Sequence, residues 1–539
     1  MALADKQSGA VVPTVCCIGS HEAAPDPASA NDHHEKPCMN ARDLSLEQIG
    51  KVGFLTQRRH GNFIDGKAVM PASDAYVQVV DPATEMVVAE APDSNAADVD
   101  AAVASARRAF EDSPWSRLRP ADRERLLYRL STLIEEQADE LSAIETLQSG
   151  KLQGIARMVD VGAGAEFVRY MAGWATKLEG QTLDPSIPFP PDSRYFTYTC
   201  REPVGVVAAV VPWNFSLAIA LWKVAPALAT GCTVVLKPSE ETPLTALRLA
   251  ELVMQAGFPA GVLNVVCGRG RSTGAALARH PGIDKVAFTG STPVGKAIGH
   301  AAVDNMTRFT LELGGKSPVI VLEDADPEQA AMGVAMGIFF NQGQVCTAGS
   351  RVYVQRKIFD KVVHGVAQIA EGMKIGSGFD TSTQLGPLVS RRQFERVMGY
   401  IEGAKAEGAT VLTGGDRALD GGYFVKPTVF VDTHASMRIV REEIFGPVLA
   451  AMPFDDVEDA IAKANDTPFG LAASVWSQNL SAVHRIVPRL KAGTVWVNTH
   501  NMLDNNLPLG GYKQSGYGRD LGRAAVESYT EVKSVCMSV

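Results

Sequence analysis

Two short segments of this chain carry residue types that could act together in covalent catalysis. In Asn341–Thr347, Cys346 stands among small and polar residues directly after an apolar run. In Thr310–Lys316, Glu312 is the single carboxylate of an apolar, glycine-rich stretch. A thiolate can attack a carbonyl carbon, and a carboxylate can act as the general base. The pair therefore indicates covalent attack on a carbonyl, although a lone cysteine is more commonly a small buried apolar residue.

The composition excludes several classes of protein. The 539 residues are 46% hydrophobic and 21% charged, as in globular proteins of two to four domains. The net charge of −9 leaves no basic footprint, so no nucleic-acid partner is expected. The longest apolar stretch, residues 215–229, is interrupted by Lys223 and Pro226, which predicts no membrane span.

The N-terminal region and the cysteines indicate a cytoplasmic protein. No basic segment followed by an apolar core is visible at the N-terminus, so no secretory signal is expected. The eight cysteines show no C-x-x-C spacing, which favours free thiols. Residues 1–45 show no hydrophobic periodicity, and this absence predicts a disordered N-terminal arm. Several residues of this arm could bind a metal but match no standard spacing, so no metal is predicted: Cys16, Cys17, His33, His34 and Cys38.

From residue 204 onward, apolar runs of strand length alternate with helical segments. This alternation predicts an α/β fold with a parallel sheet covered on both faces. The predicted strands are Val204–Val211, Thr233–Leu236, Leu263–Val266, Val286–Phe288 and Phe309–Leu313. A second series occupies residues 314–515, with strands near Val319–Leu322, Arg351–Val354 and Gly493–Val497.

Ligands of such sheets bind beyond the carboxyl ends of the strands. Gly290 and Ser291 end one strand and lead into a helix, whose N-terminus could receive a phosphate. Lys237 and Glu240 end another strand, where a cation and a carboxylate could hold the hydroxyls of a ribose. Taken alone, each of these segments is equally consistent with an ordinary solvated turn.

Together, these segments resemble the aldehyde dehydrogenase superfamily, and they occur in the order and at the spacing of that family. The segments that carry the resemblance are Pro212–Phe215, Lys237–Glu240, Phe288–Thr292, Leu311–Lys316, Asn341–Cys346, Glu442–Pro447 and Pro508–Gly516. The resemblance runs from about residue 60 to the C-terminus.

The resemblance implies a catalytic role for three residues. Cys346 would attack an aldehyde as the thiolate, and hydride would pass to the nicotinamide of NAD. The Asn214 side chain and the Cys346 backbone N–H would stabilise the oxyanion. Glu312 would activate the water that hydrolyses the resulting thioester.

The resemblance also implies the domain organisation and the cofactor site. A Rossmann-like NAD-binding domain would comprise residues 46–180 and 204–313, and an α/β catalytic domain residues 314–515. A small β element, residues 181–203 and 529–539, would pair with another subunit in a homo-oligomer, a dimer or a tetramer. The implied cofactor-binding residues are Val211, Pro212, Trp213, Lys237, Glu240, Gly290, Ser291, Glu443 and Phe445. A carboxylate at 240 would repel a 2′-phosphate, which predicts NAD rather than NADP.

Within the superfamily, the chain is most similar to phenylacetaldehyde dehydrogenases. That similarity rests on Leu183–Pro188, Gly493–His500, Asp504–Pro508 and Lys533–Cys536. The expected aldehyde-binding residues are apolar, with Asp504 as the one nearby charge, which predicts an aromatic aldehyde as substrate. They are Phe215, Trp222, Met171 and Leu503, with Ile219 and Met502 beside them.

Three alternatives remain open at the level of the sequence. The aldehyde could be aliphatic or could carry an amino group. The chain could be a thiol hydrolase in which the nucleotide-binding half is only structural. It could also be a non-catalytic protein on the same scaffold, which the presence of Asn214, Glu312 and Cys346 argues against.

Overall fold

The computed structural model describes residues 40–539, and the chain begins there with a helix, Ala41–Lys51. The Asn40 side chain caps this helix by accepting from the Asp43 backbone N–H, and Ser45 is buried and donates to Asp81 at 2.7 Å. The prediction that disorder extends to residue 45 is therefore wrong at its C-terminal end, because the cap and the buried hydroxyl stabilise helix there. The candidate metal ligands of the arm lie outside the described residues.

The first large sheet has eight strands, of which the five central ones are parallel, as the alternation predicted. The outer strands at both edges are antiparallel. In spatial order the strands are Gly516–Tyr517, Arg308–Glu312, Lys285–Thr289, Val206–Val210, Thr233–Lys237, Leu263–Val265, Asn62–Ile64 and Lys67–Val69. The central strands are almost wholly buried, because helices cover both faces.

Helices cover this sheet and present apolar stripes to it. Val99, Ala102, Val103 and Ala106 form the buried stripe of the first of these helices. The longer helices are Ala96–Glu111, Pro120–Glu136, Ala138–Ser149, Ala163–Ala172, Ser216–Thr230, Leu244–Ala256 and Thr292–Asp304. Shorter helical segments are Gln153–Ile155, the π-helical turn Ala156–Gly162, Ala275–Arg279 and Gly522–Glu527.

The second large sheet has seven strands and is parallel except for the antiparallel pair at one edge. Its strands in spatial order are Thr410–Thr413, Thr428–Val431, Val448–Phe454, Arg351–Gln355, Pro318–Val321, Ala472–Trp476 and Thr494–Val497. Its helices are Pro327–Phe339, Phe359–Gly372, Arg391–Ala406, Arg438–Arg441, Val457–Asn465 and Leu480–Ile486.

Two smaller sheets complete the fold. Tyr76–Val80 pairs with Val87–Pro92. In the other sheet, the C-terminal strand Thr530–Ser538 pairs along its whole length with Tyr195–Pro203, which also pairs with Thr182–Leu183. Within residues 40–539, the outer edge of the C-terminal strand has no strand partner. None of the helices in the described part of the chain is both long and apolar enough to cross a membrane.

Candidate active site

Asn214 lies at the carboxyl edge of the first sheet and contacts the loop that carries Cys346. It follows strand Val206–Val210 and is 4% exposed. Its Nδ2 donates to the Gln344 carbonyl at 2.9 Å, and its own carbonyl accepts from Asn341 Nδ2 at 3.1 Å. An amide nitrogen has two N–H groups, so one donor remains for a ligand. The structure thus brings the predicted oxyanion donor against the loop that carries Cys346.

The backbone before Cys346 has an unusual conformation. Helix Pro327–Phe339 ends, and Asn341, Gln342 and Gly343 follow with φ values of 47°, 56° and 69°. Residues other than glycine seldom adopt this left-handed conformation, and such strain concentrates at functional sites. A Cβ at Gly343 would lie 2.1 Å from the Gly446 carbonyl oxygen. This left-handed turn sets the direction in which the chain approaches Cys346.

His500 holds the loop on the other side of Cys346. Its Nε2 lies 2.9 Å from the Thr347 carbonyl oxygen, and its Nδ1 lies 2.9 Å from Ser474 Oγ. Burial lowers the pKa of His500 to about 4, so the imidazole is neutral at neutral pH. Since a carbonyl only accepts, Nε2 carries the proton and Nδ1 accepts from the serine hydroxyl. Thr347 Oγ1 also donates to Asn501 Oδ1 at 2.7 Å.

The thiol of Cys346 is partly exposed, and its pKa is raised to about 12. Burial is the largest cause, followed by the carboxylates of Glu443 and Glu312. The backbone N–H groups of Thr347 and Cys346 act in the opposite direction. The thiol is therefore protonated at neutral pH unless a base or an added positive charge assists its ionisation.

Glu312 ends strand Arg308–Glu312 and is 6% exposed. Neither of its carboxylate oxygens has a hydrogen-bond partner among residues 40–539. Burial raises its pKa well above the ordinary value, and Asp520 adds to the shift, whereas Lys223 and Arg519 oppose it. A raised carboxyl pKa is what a general base working near neutral pH requires.

The strand ends predicted to bind a nucleotide lie at the same edge of the first sheet. Lys237 is buried, and its Nζ lies 3.8 Å from Glu240 Oε2 and donates to the Pro238 carbonyl at 2.7 Å. Burial lowers the pKa of Lys237, and Glu240 opposes that shift. The carboxylate of Glu240 is partly exposed, so it can accept hydrogen bonds from a ligand.

The N-terminus of helix Thr292–Asp304 is exposed to solvent. Ser291 occupies the cap position but makes no capping hydrogen bond with its side chain, and it is exposed. A Cβ at Gly290 would lie 2.4 Å from the Phe288 ring, so only glycine fits there. Free N–H groups at a helix N-terminus suit a phosphate, and this segment fits the pyrophosphate of a dinucleotide.

Glu443 and Phe445 lie in the segment that precedes strand Val448–Phe454 of the second sheet. Glu443 Oε1 accepts from the Gly315 backbone N–H at 2.9 Å, and burial raises the pKa of this carboxyl to about 7. The ring of Phe445 meets Trp213 edge to face, with ring centroids 5.2 Å apart and an interplanar angle of 89°. Val211 donates to the Lys237 carbonyl at 3.1 Å, and Pro212 beside it is partly exposed.

The predicted aldehyde-binding residues differ in exposure. Phe215 and Trp222 are partly buried, whereas Met171 is fully buried and Ile219 is 3% exposed, both in the same hydrophobic core. Leu503 and Met502 are exposed, as is Asp504, which accepts from the Asn506 backbone N–H at 2.8 Å. Because Met171 has no exposed surface, it can influence an aldehyde pocket only indirectly, through the side chains that pack against it.

Two residues near the site were not singled out from the sequence. Phe340 stacks on Phe215 with centroids 6.3 Å apart and an interplanar angle of 21°. Phe340 directly precedes the left-handed turn, so its position next to Asn341 was the available signal. His500 appeared only within a subfamily motif, and a single histidine carries no metal or nucleophile pattern that would single it out. No group of residues suited to hold a metal ion occurs within residues 40–539.

Comparison with known proteins identifies the family. The aldehyde dehydrogenase family model matches residues 69–535, and the chain belongs to this family. The chain is 52% identical to phenylacetaldehyde dehydrogenase of Pseudomonas fluorescens over 481 residues, which covers 89% of this chain and 96% of that protein.

Solved structures agree with this assignment. The NAD+ complex of an aldehyde dehydrogenase from Bacillus cereus is 50% identical, has a TM-score of 0.87, and is matched over 90% of this chain and 98% of that one. A variant of the P. syringae indole-3-acetaldehyde dehydrogenase AldA, in complex with NAD+ and IAA, is 43% identical with a TM-score of 0.88, matched over 93% and 100%. The predicted family and α/β fold are confirmed, and the chain is an oxidoreductase rather than a hydrolase or a non-catalytic scaffold.

Proposed function

We propose that this enzyme oxidises an aromatic aldehyde of the phenylacetaldehyde type to its carboxylic acid, with NAD as the hydride acceptor. The observation that carries the proposal is the hydrogen bond from Asn214 to the Gln344 carbonyl, which places an amide donor against the Cys346 loop. The named relatives support the aromatic substrate, since they include a phenylacetaldehyde dehydrogenase and an indole-3-acetaldehyde dehydrogenase.

In the first half of the reaction, Cys346 Sγ attacks the aldehyde carbon. The negative charge that develops on the aldehyde oxygen would be met by the free N–H of Asn214 Nδ2 and by the Cys346 backbone N–H. Such preorganised donors stabilise the transition state more than the bound aldehyde. The raised pKa of the thiol requires that its proton be removed during the attack, and Glu312 and Glu443 are the carboxylates near enough to influence it.

NAD, when bound, supplies the acceptor for the hydride that leaves the tetrahedral carbon. Glu240 would accept hydrogen bonds from one ribose, and Glu443 from the other. The helix that follows Ser291 would face the pyrophosphate, and Trp213 and Phe445 would flank the dinucleotide at the junction of the domains. Because Glu240 repels a 2′-phosphate, kcat/KM with NADP should fall below that with NAD.

In the second half, Glu312 accepts a proton from the water that attacks the thioester on Cys346. This step releases the acid and restores the thiol. A carboxyl with a raised pKa is a stronger base once ionised, and within the described residues no hydrogen bond competes for either oxygen of Glu312.

The substrate preference follows from the apolar residues beside Asn214. Phe215, Trp222 and Phe340 would surround the aldehyde side chain, and Leu503 and Met502 would lie at the entrance. Burying a phenyl ring removes roughly 100–150 Å² from water, worth about 2.5–4 kcal/mol before ordering costs. Phenylacetaldehyde should therefore exceed acetaldehyde by about one to two decades in kcat/KM.

A panel of aldehydes tests this proposal through NADH formation. Phenylacetaldehyde should give the highest kcat/KM, and Trp222→Ala should reduce that value more than the value for acetaldehyde. If acetaldehyde, succinic semialdehyde or an amino aldehyde is the better substrate of the wild-type enzyme, the aromatic assignment is wrong while the family assignment stands.

We also infer a homo-oligomer formed through strand Thr530–Ser538. Its outer edge is unpaired within residues 40–539, and Val532 and Met537 on it are exposed. An unpaired apolar edge is otherwise a site of aggregation. Removal of the residues after Glu531 should give monomers or aggregates by light scattering, and an unaltered oligomer would contradict the inference.

A further inference from the structure

Three ionisable side chains are buried next to Phe215 and have no part in the chemistry described above; burial raises the pKa of Asp160 to about 7, and Lys151 opposes that shift. Glu145, Lys151 and Asp160 are at most 1% exposed. Glu145 lies in helix Ala138–Ser149, Lys151 follows the glycine that ends this helix, and Asp160 lies in the π-helical turn. Burying charge is costly unless each charge finds a partner, so the partners indicate what the cluster does.

Glu145 fixes the start of the helix that follows Phe215. Its carboxylate accepts from Ser216 Oγ at 2.7 Å, from the Leu217 backbone N–H at 3.0 Å and from Thr245 Oγ1 at 2.8 Å. A negative charge at a helix N-terminus is favourable. The first turn of helix Ser216–Thr230 is thereby fixed, and with it the backbone of Phe215.

Lys151 acts on the ring of Phe215 itself. Its ammonium pairs with Asp160 Oδ2 and lies 4.3 Å from the centroid of the Phe215 ring. A cation over an aromatic face is attracted to it, and more strongly where water is excluded. The same ring stacks on Phe340, which opens the left-handed turn before Cys346.

The pair of Lys151 and Asp160 is not explained by stability. A buried ion pair is often no more stabilising than apolar side chains of the same volume. Asp160 Oδ1 also lacks a hydrogen-bond partner within residues 40–539. In addition, Asp160 belongs to a π-helical turn. This conformation is rare in proteins as a whole, but where it does occur it is often at a functional site. A role in placing Phe215 accounts for these features together.

We propose that Lys151 is a positioning residue for aldehyde specificity. Its ammonium, held by Asp160, fixes the Phe215 ring against Phe340, and this orientation sets the preference for aromatic over small aliphatic aldehydes. The inference rests on the proposed function, because it takes Phe215 as part of the aldehyde pocket. Lys151 itself touches neither the aldehyde nor the reacting atoms.

A double-mutant cycle between Lys151→Met and Phe215→Leu tests the proposal. The quantity to measure is the ratio of kcat/KM for phenylacetaldehyde to kcat/KM for acetaldehyde. Lys151→Met should lower this ratio by about threefold to thirtyfold, the upper figure being the full contribution of a desolvated cation over a ring. In the Phe215→Leu background, Lys151→Met should leave the ratio unchanged, because the ring through which Lys151 acts is gone.

A second variant guards against failure to fold. Lys151→Met leaves Asp160 buried without its cation, so Lys151→Met with Asp160→Leu removes both charges and should fold. It should show the same loss of preference. Arg59→Met is the matched control, because Arg59 lies 4.4 Å over the Tyr76 ring and pairs with Glu90 at 2.8 Å, away from the site. Its ratio should equal that of the wild-type enzyme.

Two results would overturn the proposal. One is an equal fall of both kcat/KM values in the folded Lys151 variants, which indicates a purely structural role. The other is a full effect of Lys151→Met in the Phe215→Leu background. Failure of the proposed function is a separate result: a wild-type enzyme that does not prefer phenylacetaldehyde disproves the aromatic substrate. The coupling between residues 151 and 215 is then measured with hexanal against acetaldehyde.

Discussion

The loop that carries Cys346 and the strand that carries Glu312 meet at one site but are held in opposite ways. The loop is fixed by hydrogen bonds on both sides of the cysteine, from Asn214 to the Gln344 carbonyl and from His500 to the Thr347 carbonyl. Glu312, in contrast, is buried with no hydrogen-bond partner for either oxygen among residues 40–539. Both groups have a raised pKa, but hydrogen bonds fix the backbone around Cys346, whereas no hydrogen bond to a described residue fixes the carboxylate of Glu312.

This difference teaches that the two residues need different properties from the fold. A nucleophile must be in line with the aldehyde carbon and the oxyanion donors, so its backbone is fixed. A general base must bind a proton strongly enough to take one from water near neutral pH, and burial of its carboxylate raises the pKa toward that range. Substitutions at the loop should therefore change geometry, and substitutions at Glu312 should change the dependence on pH.

The largest effect is expected for Cys346→Ala. Aldehyde oxidation should fall by more than about 10⁴-fold, since no other thiol lies in the loop to replace the nucleophile. Binding of NAD, measured by calorimetry, should survive because the thiol takes part only in the chemistry. Substantial turnover in this variant would disprove covalent catalysis at Cys346.

Glu312→Gln should lower steady-state turnover by about 10²-fold to 10⁴-fold. Rapid-mixing measurements should still show one burst of NADH, because the amide blocks hydrolysis of the thioester more than its formation. The wild-type rate of hydrolysis should rise with pH through the raised pKa of Glu312, and the variant should lack that rise. An unchanged steady-state rate would remove Glu312 from the role of base.

Asn214→Ala should lower the rate of the burst by about 10²-fold to 10³-fold, the cost of one oxyanion donor. The variant also loses the hydrogen bond to the Gln344 carbonyl, so the loop loses an anchor. Pre-steady-state NADH formation measures this step directly. A burst as fast as that of the wild-type enzyme would exclude Asn214 as a donor to the oxyanion.

His500→Phe should lower kcat by about tenfold with little change in KM, since it leaves a buried carbonyl of the loop without its donor. His500→Gln keeps an N–H donor and should recover part of the activity. The pH profile should not change in either variant, because the imidazole, with a pKa of about 4, stays neutral over the working range. A shifted profile would instead indicate that His500 titrates during catalysis.

The smallest effect concerns stability. The pKa of Glu312 is raised in the folded state, so the protonated form is favoured by folding and stability falls as pH rises through that folded pKa. Glu312→Gln removes this titration. Its melting temperature should exceed that of the wild-type enzyme at alkaline pH and match it more closely at acid pH. A parallel decline of both proteins with rising pH would contradict this view of the base.

Much of the fold could be predicted from the sequence, and the sequence also supplied the candidate catalytic residues, whose roles stay predictions. The central strands read as apolar runs because both faces of their sheet are buried, and their observed bounds differ from the predicted ones by only a few residues. Cys346, Glu312 and Asn214 were found because their motifs have fixed spacing, and the structure places Asn214 against the loop of Cys346.

Other features depend on contacts that no local pattern encodes. The left-handed conformation of Asn341 and Gln342 occurs without glycine, so composition gives no sign of it. The helix Ala41–Lys51 lies next to a stretch of low complexity, and the burial of Ser45 against Asp81 depends on a distant residue. Met171 has an apolar side chain of the kind that lines pockets, but helix packing buries it completely. From the sequence alone, Lys151 is interpreted as a surface charge. Only the fold shows that its ammonium lies over the ring of Phe215.

The left-handed turn limits how this enzyme could be re-engineered. A side chain at Gly343 is disfavoured twice, by the φ of 69° and by the Gly446 carbonyl 2.1 Å from where its Cβ would lie. Moving the reactive sulfur one position along the chain would require rebuilding the turn and its contact with Gly446. Libraries aimed at new substrates should therefore keep residues 341–343 constant and diversify the side chains around Phe215 and Trp222, where substitution leaves the backbone register of the catalyst intact.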